Sequence, residues 1–251
     1  MNDFFGFNSS AQPFKLFSLP HIVTLVIILA ANLLIFLFRN KLKEHKINKY
    51  LRYSLALALL LEEISLQIWH ISAGQWSVTT SLPLHLCGVA IFLSMLMLVT
   101  KSFAIYEVVY FWGLGGAIQA LFTPYINGYN YPHYRFFQFF LSHGLLITSA
   151  LFMTFTHLYR PRQKSIFKTF GITNLYLIFI AVFNLITGAN YLFICRKPSA
   201  ASLLDFLGPW PWYILSLEFV ALITFIIYYV PFAICDFFKK KKASCEITCK
   251  I

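Results

Sequence analysis

The chain has 251 residues, of which 59% are hydrophobic and only 12% are charged, yet its formal net charge is +11. Soluble domains carry about 25% charged residues, and disordered chains have low hydrophobicity. This composition excludes those two classes and predicts an all-α, polytopic integral membrane protein.

Seven apolar stretches approach the length that a helix needs to cross about 30 Å of hydrocarbon. Their apolar residues are continuous and not alternating, which favours a seven-transmembrane-helix bundle over a β-barrel. No soluble domain is predicted, so the chain is expected to form a single transmembrane domain with a basic tail at residues 236–251. The predicted spans are residues 21–38, 51–72, 84–99, 103–122, 134–156, 169–187 and 211–235.

Basic residues concentrate in alternate gaps between these spans. Of the 20 lysines and arginines, 15 fall in the gaps after spans one, three and five and in the tail, and a sixteenth, Arg52, is the second residue of span two, next to the first of these gaps. Because cytoplasmic loops carry the excess of lysine and arginine, the amino terminus is expected outside and the carboxyl terminus in the cytoplasm. The net charge is then a topology signal with phospholipid headgroups as neighbours. No nucleic-acid partner is expected, and the oligomeric state stays open.

Span two carries a polar stripe. Glu63, Gln67 and His70 are spaced i, i+4 and i+7 and therefore share one helix face, whereas Glu62 points about 100° away. An ionisable group inside a membrane costs about 2.5–3.5 kcal/mol or more, so the stripe is expected to face the bundle interior. It is either a structural feature with a protonated glutamate or a set of groups that contact substrate.

Span three opens with the sequence LHLCG at residues 84–88. A cysteine in a membrane helix is usually a small hydrophobic residue, but near a helix start the dipole favours its thiolate form. His85 lies two residues from Cys87, about 200° around a helix, so the two side chains do not face each other. A base for Cys87 must therefore come from another helix or from an irregular helix start.

Span five supplies the natural candidate for that base, His143, about 14 Å below the start of the span at 1.5 Å per residue. A single membrane histidine often only hydrogen-bonds a neighbouring helix, and that interpretation remains open. Cys87 has two alternative uses. One is a disulfide with Cys195, and the other is a metal site shared with His70, His85 and His143.

Further polar candidates fall in the outer halves of the spans or at their outer edges. Thr123 ends span four, and Asn190 and Tyr191 follow span six. The inner halves are mostly plain apolar sequence, so the pattern predicts a polar cavity that opens toward the outer leaflet. Span four also carries two small-xxx-small pairs, which predict close helix packing. These pairs are Gly113 with Ala117 and Gly116 with Ala120.

Several motifs resemble the YwaF family of bacterial integral membrane proteins. They are LPLHLC (82–87), FFLSHG (139–144), NY (190–191) followed by KP (197–198), LLD (203–205) and GPWPWY (208–213). That family is related to eukaryotic transmembrane acyltransferases that place polyunsaturated chains on ether phospholipids. The resemblance extends from span one to span seven, and it implies a multi-pass protein of a bacterial plasma membrane.

The resemblance implies a lipid acyltransferase or acyl hydrolase that works through an acyl-thioester, with Cys87 as the acyl acceptor and His143 as its activating base. In the expected mechanism the thiolate attacks an acyl ester of a phospholipid. The oxyanion is held by N–H groups of the helix start, by His85 or by Asn190. A lysolipid hydroxyl, another alcohol or water then resolves the thioester. The donor, the acceptor and the choice between transfer and hydrolysis stay open.

Four further residues are expected to support this site or to bind substrate: Glu63, His70, Tyr191 and Thr123. No cofactor and no metal are expected. Two other classes of function remain as alternatives. A non-enzymatic small transporter or lipid-binding protein would hold Cys87 and His143 apart or offer a route to both membrane faces. A structural partner of a larger complex would show an exposed face of small residues and no cavity.

Overall fold

Long apolar runs bounded by polar or prolyl residues fold into helices throughout the computed structural model, which describes residues 4–7, 14–126, 128–198 and 203–248. The described residues form seven α-helices and three short 3₁₀ helices, and they contain no strand. The α-helices are α1 (Leu19–Leu37), α2 (His45–Ser72), α3 (Leu86–Thr100), α4 (Phe103–Phe122), α5 (Tyr134–Thr156), α6 (Gln163–Thr187) and α7 (Trp212–Thr248). The 3₁₀ helices are Lys41–Lys43, Tyr191–Phe193 and Leu203–Leu207.

Six of the seven helices are long and apolar enough to cross a membrane, and α3 is the shorter apolar exception. With 15 residues, α3 spans about 22 Å at 1.5 Å per residue, less than the roughly 30 Å of a hydrocarbon core. The chain is therefore a helical, multi-pass membrane protein. Span three was expected from residue 84, but α3 starts at Leu86 because His85 is in an extended conformation.

Helices α2, α6 and α7 extend beyond the apolar stretches that predict them. Helix α2 starts at His45 instead of residue 51, α6 starts at Gln163 instead of residue 169, and α7 continues to Thr248 through the predicted basic tail. Lysine, arginine, glutamate and glutamine are good helix formers, so a helix continues past the end of its apolar part. Hydropathy detects only the apolar part.

Helix α4 lies at the centre of the bundle because glycines let three neighbours approach its backbone. A Cβ atom added to Gly113 would lie 3.8 Å from the Leu146 carbonyl oxygen of α5. One on Gly115 would lie 3.5 Å from Thr224 of α7, and one on Gly116 would lie 3.0 Å from a side chain of α3. Helices α3 and α5 also pack against each other. The two helices that carry the candidate cysteine and histidine therefore flank the same side of α4.

Candidate functional site

Cys87 is the second residue of α3 and has a half-buried free thiol. Its Sγ atom lies 3.0 Å from the position that a Cβ atom of Gly116 would occupy, so the sulfur rests against the backbone of α4. Cys195 is a free, exposed cysteine. The alternative of a Cys87–Cys195 disulfide is therefore wrong.

The start of α3 presents unpaired backbone donors next to this sulfur. Within the described residues the first backbone bond of the helix runs from the Val89 N–H to the His85 carbonyl at 3.1 Å, and no bond is seen for the N–H groups of Leu86, Cys87 and Gly88. The His85 side chain does not cap them. A helix start with free N–H groups and a positive dipole end stabilises an anion. These donors are suited to bind an oxyanion beside the thiol.

Gly88 allows the chain to fold back over the start of α3. A Cβ atom on Gly88 would lie 2.7–2.9 Å from three backbone atoms of Pro83. Backbone atoms cannot move aside as the end of a flexible side chain can, so only glycine fits here. Gly171 in α6 is the opposite case, since nothing lies within 4 Å of a Cβ added there.

Replacing Gly88 by alanine should therefore displace the start of α3, whereas Gly171→Ala should be tolerated. Overpacking of this kind costs about 1–3 kcal/mol, while a glycine-to-alanine change inside an unobstructed helix stabilises by up to about 1 kcal/mol. Thermal unfolding of both variants in detergent measures the difference. Equal melting temperatures for the two variants would contradict the close approach at Gly88.

Tyr191 anchors the segment that leads into α3, which we call the pre-helix segment (residues 78–85). Its hydroxyl accepts a hydrogen bond from the Leu82 N–H at 3.0 Å and donates one to the Val78 carbonyl at 2.8 Å. Burial raises the pKa of Tyr191, which keeps the phenol protonated and able to donate. One buried side chain therefore ties two points of the pre-helix segment to the loop after α6.

Tyr176 and Leu192 provide two more anchors from the same side of the bundle. The Tyr176 hydroxyl donates to the Leu84 carbonyl at 2.7 Å, and the Leu192 N–H donates to Nδ1 of His85 at 3.4 Å. Since Nδ1 of His85 accepts, the proton of the neutral ring sits on Nε2. The pre-helix segment is thus positioned by α6 and by the Tyr191–Phe193 3₁₀ helix, which we call the 191–193 turn.

The 191–193 turn is strained and is held in place by Asn184. Leu192 has φ 59° and Phe193 has φ 54°, a left-handed conformation that costs about 1–2 kcal/mol for each residue with a side chain. The Asn184 side chain accepts from the Tyr191 N–H at 3.0 Å and donates to the Tyr191 carbonyl at 2.9 Å. Strain that the surroundings maintain in this way is common at functional sites.

A cavity of about 700 Å³ adjoins this arrangement. Its walls are mainly apolar, in contrast to the polar cavity that the sequence predicts. Apolar walls are typical of pockets for small organic ligands. Two wall residues connect it to the features above, because Gly116 contacts Cys87 and Phe193 belongs to the 191–193 turn. The lining residues are Gly116, Gln119, Ala120, Phe122, Thr123, Pro124, Tyr125, Phe193, Pro198, Leu204, Asp205 and Phe206.

His143 has a defined tautomer. Its Nδ1 atom lies 2.7 Å from the Phe139 carbonyl oxygen, and since a carbonyl only accepts, Nδ1 carries the proton and Nε2 of the neutral ring carries the lone pair. The ring also packs on that of Phe139, with 4.2 Å between centroids. The Nε2 atom of His143 is thus suited to accept a proton.

Only helix register relates His143 to Cys87, since no hydrogen bond between their side chains is seen among the described residues. Helices α4 and α5 are antiparallel, and Gly113 lies beside the Leu146 carbonyl. Three residues along α4 lead to Gly116, and three residues back along α5 lead to His143, so these two lie at one level within about one helical turn. Gly116 is also the residue that Cys87 contacts.

Two further predicted residues, Thr123 and Asn190, have different positions relative to the cavity. Thr123 lines the cavity and donates its hydroxyl to the Gln119 carbonyl at 2.8 Å. Asn190 instead shapes its own loop, since its side chain accepts from the N–H groups of Cys195 and Arg196 and donates to the Arg196 carbonyl. The Asn190 amide is therefore already engaged in the loop after α6.

Glu63 and Gln67 belong to the predicted polar stripe of α2, but sequence reasoning missed the network in which Glu62 of α2 joins Gln138 and Arg135 of α5. The Gln67 amide donates to Glu63 at 2.7 Å. Glu62 accepts from the side chain of Gln138, which in turn accepts from Arg135, and Arg135 interacts electrostatically with both glutamates. The available signal was the i, i+3 spacing of Arg135 and Gln138 at the start of span five.

His70 shares no hydrogen bond with that network among the described residues, although the charge of Arg135 also interacts with it, and it lies at the end of α2 beside the segment Phe4–Phe7. Its ring packs on Trp69 and Phe7, with centroids 5.0 and 6.5 Å away, and its buried Nδ1 has no partner among the described residues. The Trp69 indole donates to the Phe5 carbonyl at 2.9 Å. His70 therefore packs under the amino-terminal segment.

The metal alternative has no support in the described part of the chain, where no group of three or more histidine, cysteine, aspartate or glutamate side chains could hold an ion. Gly116, Phe193 and the anchor Tyr176 were not predicted as site residues. Gly116 was recognised only as a packing residue. Its contact with Cys87 depends on the pairing of α3 with α4, which no local pattern encodes.

Comparison with known proteins identifies one family. The model of the TMEM164 family matches residues 16–229, which include all seven helices at least in part. No curated protein and no solved structure gives a significant match.

Proposed function

The chain belongs to the TMEM164 family. From the resemblance of its motifs to the YwaF family and from the geometry around Cys87, we propose that it is a membrane enzyme that transfers or hydrolyses the acyl chains of lipids. Its proposed nucleophile is Cys87, which carries the acyl group as a thioester. The observation that carries the proposal is the contact of Cys87 Sγ with Gly116, a wall residue of the apolar cavity. Cys87 is not itself one of the lining residues, so in this proposal the carboxyl end of an acyl chain in the cavity passes Gly116 to reach the sulfur.

The backbone donors at the start of α3 support the same chemistry. Attack of a thiolate on an ester generates a tetrahedral oxyanion, and preorganised N–H donors stabilise such an anion where its charge develops. The N–H groups of Leu86, Cys87 and Gly88 have no partner among the described residues, and they belong to the same first turn of α3 as the sulfur.

His143 is the proposed general base. Its Nε2 atom accepts the thiol proton of Cys87, and the thiolate attacks the ester carbonyl of a phospholipid. The resulting tetrahedral intermediate collapses with cleavage of the ester C–O bond, and the imidazolium returns its proton to the leaving lysolipid oxygen. In the second half His143 deprotonates an acceptor hydroxyl or water, which attacks the thioester and releases Cys87.

The proposal also covers the kind of membrane, the orientation of the chain in it and the supporting residues. The resemblance to the YwaF family favours a bacterial plasma membrane. The distribution of 16 of the 20 basic residues favours an external amino terminus, with the Cys87 end of α3 in the outer half of the membrane. Glu63, His70 and Thr123 are proposed to orient groups or to contact substrate.

The proposal is tested by trapping the acyl group. Purified protein is incubated with a phospholipid that carries an alkyne-tagged acyl chain, quenched in acid and analysed by mass spectrometry. We expect a tag that hydroxylamine removes and that maps to the peptide containing Cys87. A protein that binds the lipid without forming a thioester would instead support the alternative of a non-enzymatic lipid-binding protein.

A further inference from the structure

We infer that the 191–193 turn is a positioning device that couples occupancy of the cavity to the orientation of the start of α3, with Tyr191 as the positioning residue. This inference rests on the proposed function, because it explains how the proposed nucleophile Cys87 is aligned. Tyr191 itself is not proposed to touch substrate. Its role is to hold the backbone that carries the nucleophile and the oxyanion donors.

The 191–193 turn is connected by hydrogen bonds to the segment that leads into α3. Tyr191 binds the pre-helix segment at Val78 and Leu82, and Leu192 binds it at His85, the residue directly before α3. The helix start has no side-chain cap. The direction of its free N–H groups therefore depends on contacts from the 191–193 turn.

The same turn also contributes a residue to the wall of the cavity. Phe193 lines the cavity, and its ring also packs on that of His85 with 5.2 Å between centroids. An acyl chain in the cavity thus contacts a residue that is one position from Leu192 and in direct contact with His85. Any shift of Phe193 on binding is transmitted to the residue that begins α3.

The backbone of the 191–193 turn is strained. Leu192 and Phe193 both have positive φ values, 59° and 54°. Two consecutive residues with bulky side chains in this region indicate a conformation that the surroundings impose. Asn184 provides part of that constraint from the end of α6. A turn held this way has little freedom, so it transmits a displacement instead of absorbing it.

The test compares Tyr191→Phe with Tyr110→Phe in a protein whose only cysteine is Cys87. Each change removes one hydroxyl from a buried tyrosine, and the Tyr110 hydroxyl binds the Tyr228 carbonyl between α4 and α7, far in sequence from the pre-helix segment. Three quantities are measured. They are thioester formation at saturating lipid, the lipid concentration for half-maximal rate, and the rate of Cys87 alkylation by a maleimide without lipid.

We expect Tyr191→Phe to slow thioester formation at least 10-fold, because a misplacement of about 1 Å in a reacting group costs up to about 100-fold in rate. The half-maximal lipid concentration should stay within about twofold, since the cavity wall is intact. Maleimide alkylation should become faster, because the helix start is less tightly held. Tyr110→Phe should change none of the three.

Failure of this inference is distinguishable from failure of the proposed function. If wild-type protein forms a thioester and Tyr191→Phe behaves like Tyr110→Phe in all three measurements, the inference is wrong and the function stands. If wild-type protein forms no thioester, the function is wrong, and the alkylation rates alone decide the inference. Should Tyr191→Phe fail to fold, Asn184→Ala, which removes the side chain that holds Tyr191 in the turn, makes the same comparison.

Discussion

Replacing Cys87 by alanine should abolish the covalent acyl intermediate and all lipid acyl turnover. Its sulfur is the only part of the proposed mechanism that forms a bond to the acyl carbon, so no neighbouring group can substitute for it. The loss of volume is small, and the Sγ contact with Gly116 is replaced by a small gap. The folded state should therefore survive, with a melting temperature within a few degrees of wild type.

Cys87→Ser tests in the same experiment whether the acyl bond is a thioester. A serine hydroxyl is a much weaker nucleophile than a thiolate, so the rate should fall by several orders of magnitude. Any acyl group that does form would be an oxygen ester, which resists hydroxylamine under conditions that cleave a thioester. The matched control is Cys195→Ala, since that thiol is also free but exposed. Full turnover by Cys87→Ala would exclude the thioester mechanism.

His143→Gln should lower the rate of thioester formation by about 10²–10⁴-fold, the usual contribution of a general base. Glutamine has polar atoms and similar length, but it cannot accept a proton from the thiol. The residual rate should rise with pH, because deprotonation of Cys87 by the solvent replaces the missing base. The wild-type rate should level off once its imidazole is neutral.

His157→Gln is the matched control for that substitution. His157 follows the end of the same helix, α5, and its Nε2 atom binds the Asn48 side chain at 3.0 Å. The change should leave thioester formation within about twofold of wild type. An equal rate loss in both variants would assign the effect of His143→Gln to the stability of α5. The thermal unfolding of the two proteins provides the independent comparison.

The predicted bounds of spans four and five coincide with α4 (Phe103–Phe122) and α5 (Tyr134–Thr156). Both helices start at a residue whose side chain caps the first turn, since Ser102 accepts from the Ile105 N–H and His133 accepts from the Arg135 N–H. Caps and apolar length are local features, and local features can be read from a sequence. The bounds of α3 could not be predicted in this way, because its start has no such cap.

Hydropathy and charge are enough to predict a helical membrane protein and most of its helices. These are properties of composition and of spacing along one helix. The residue types inside the spans, together with the resemblance to the YwaF family, make Cys87 and His143 candidates. The contact of Cys87 with Gly116 and the anchoring of the pre-helix segment by Tyr191 emerged only in the folded chain. Such contacts join residues about 30 and more than 100 positions apart, and they depend on helix pairing and rotation. Both are set by side-chain packing across the whole bundle, because helix association in a membrane is driven by packing and hydrogen bonding between helices.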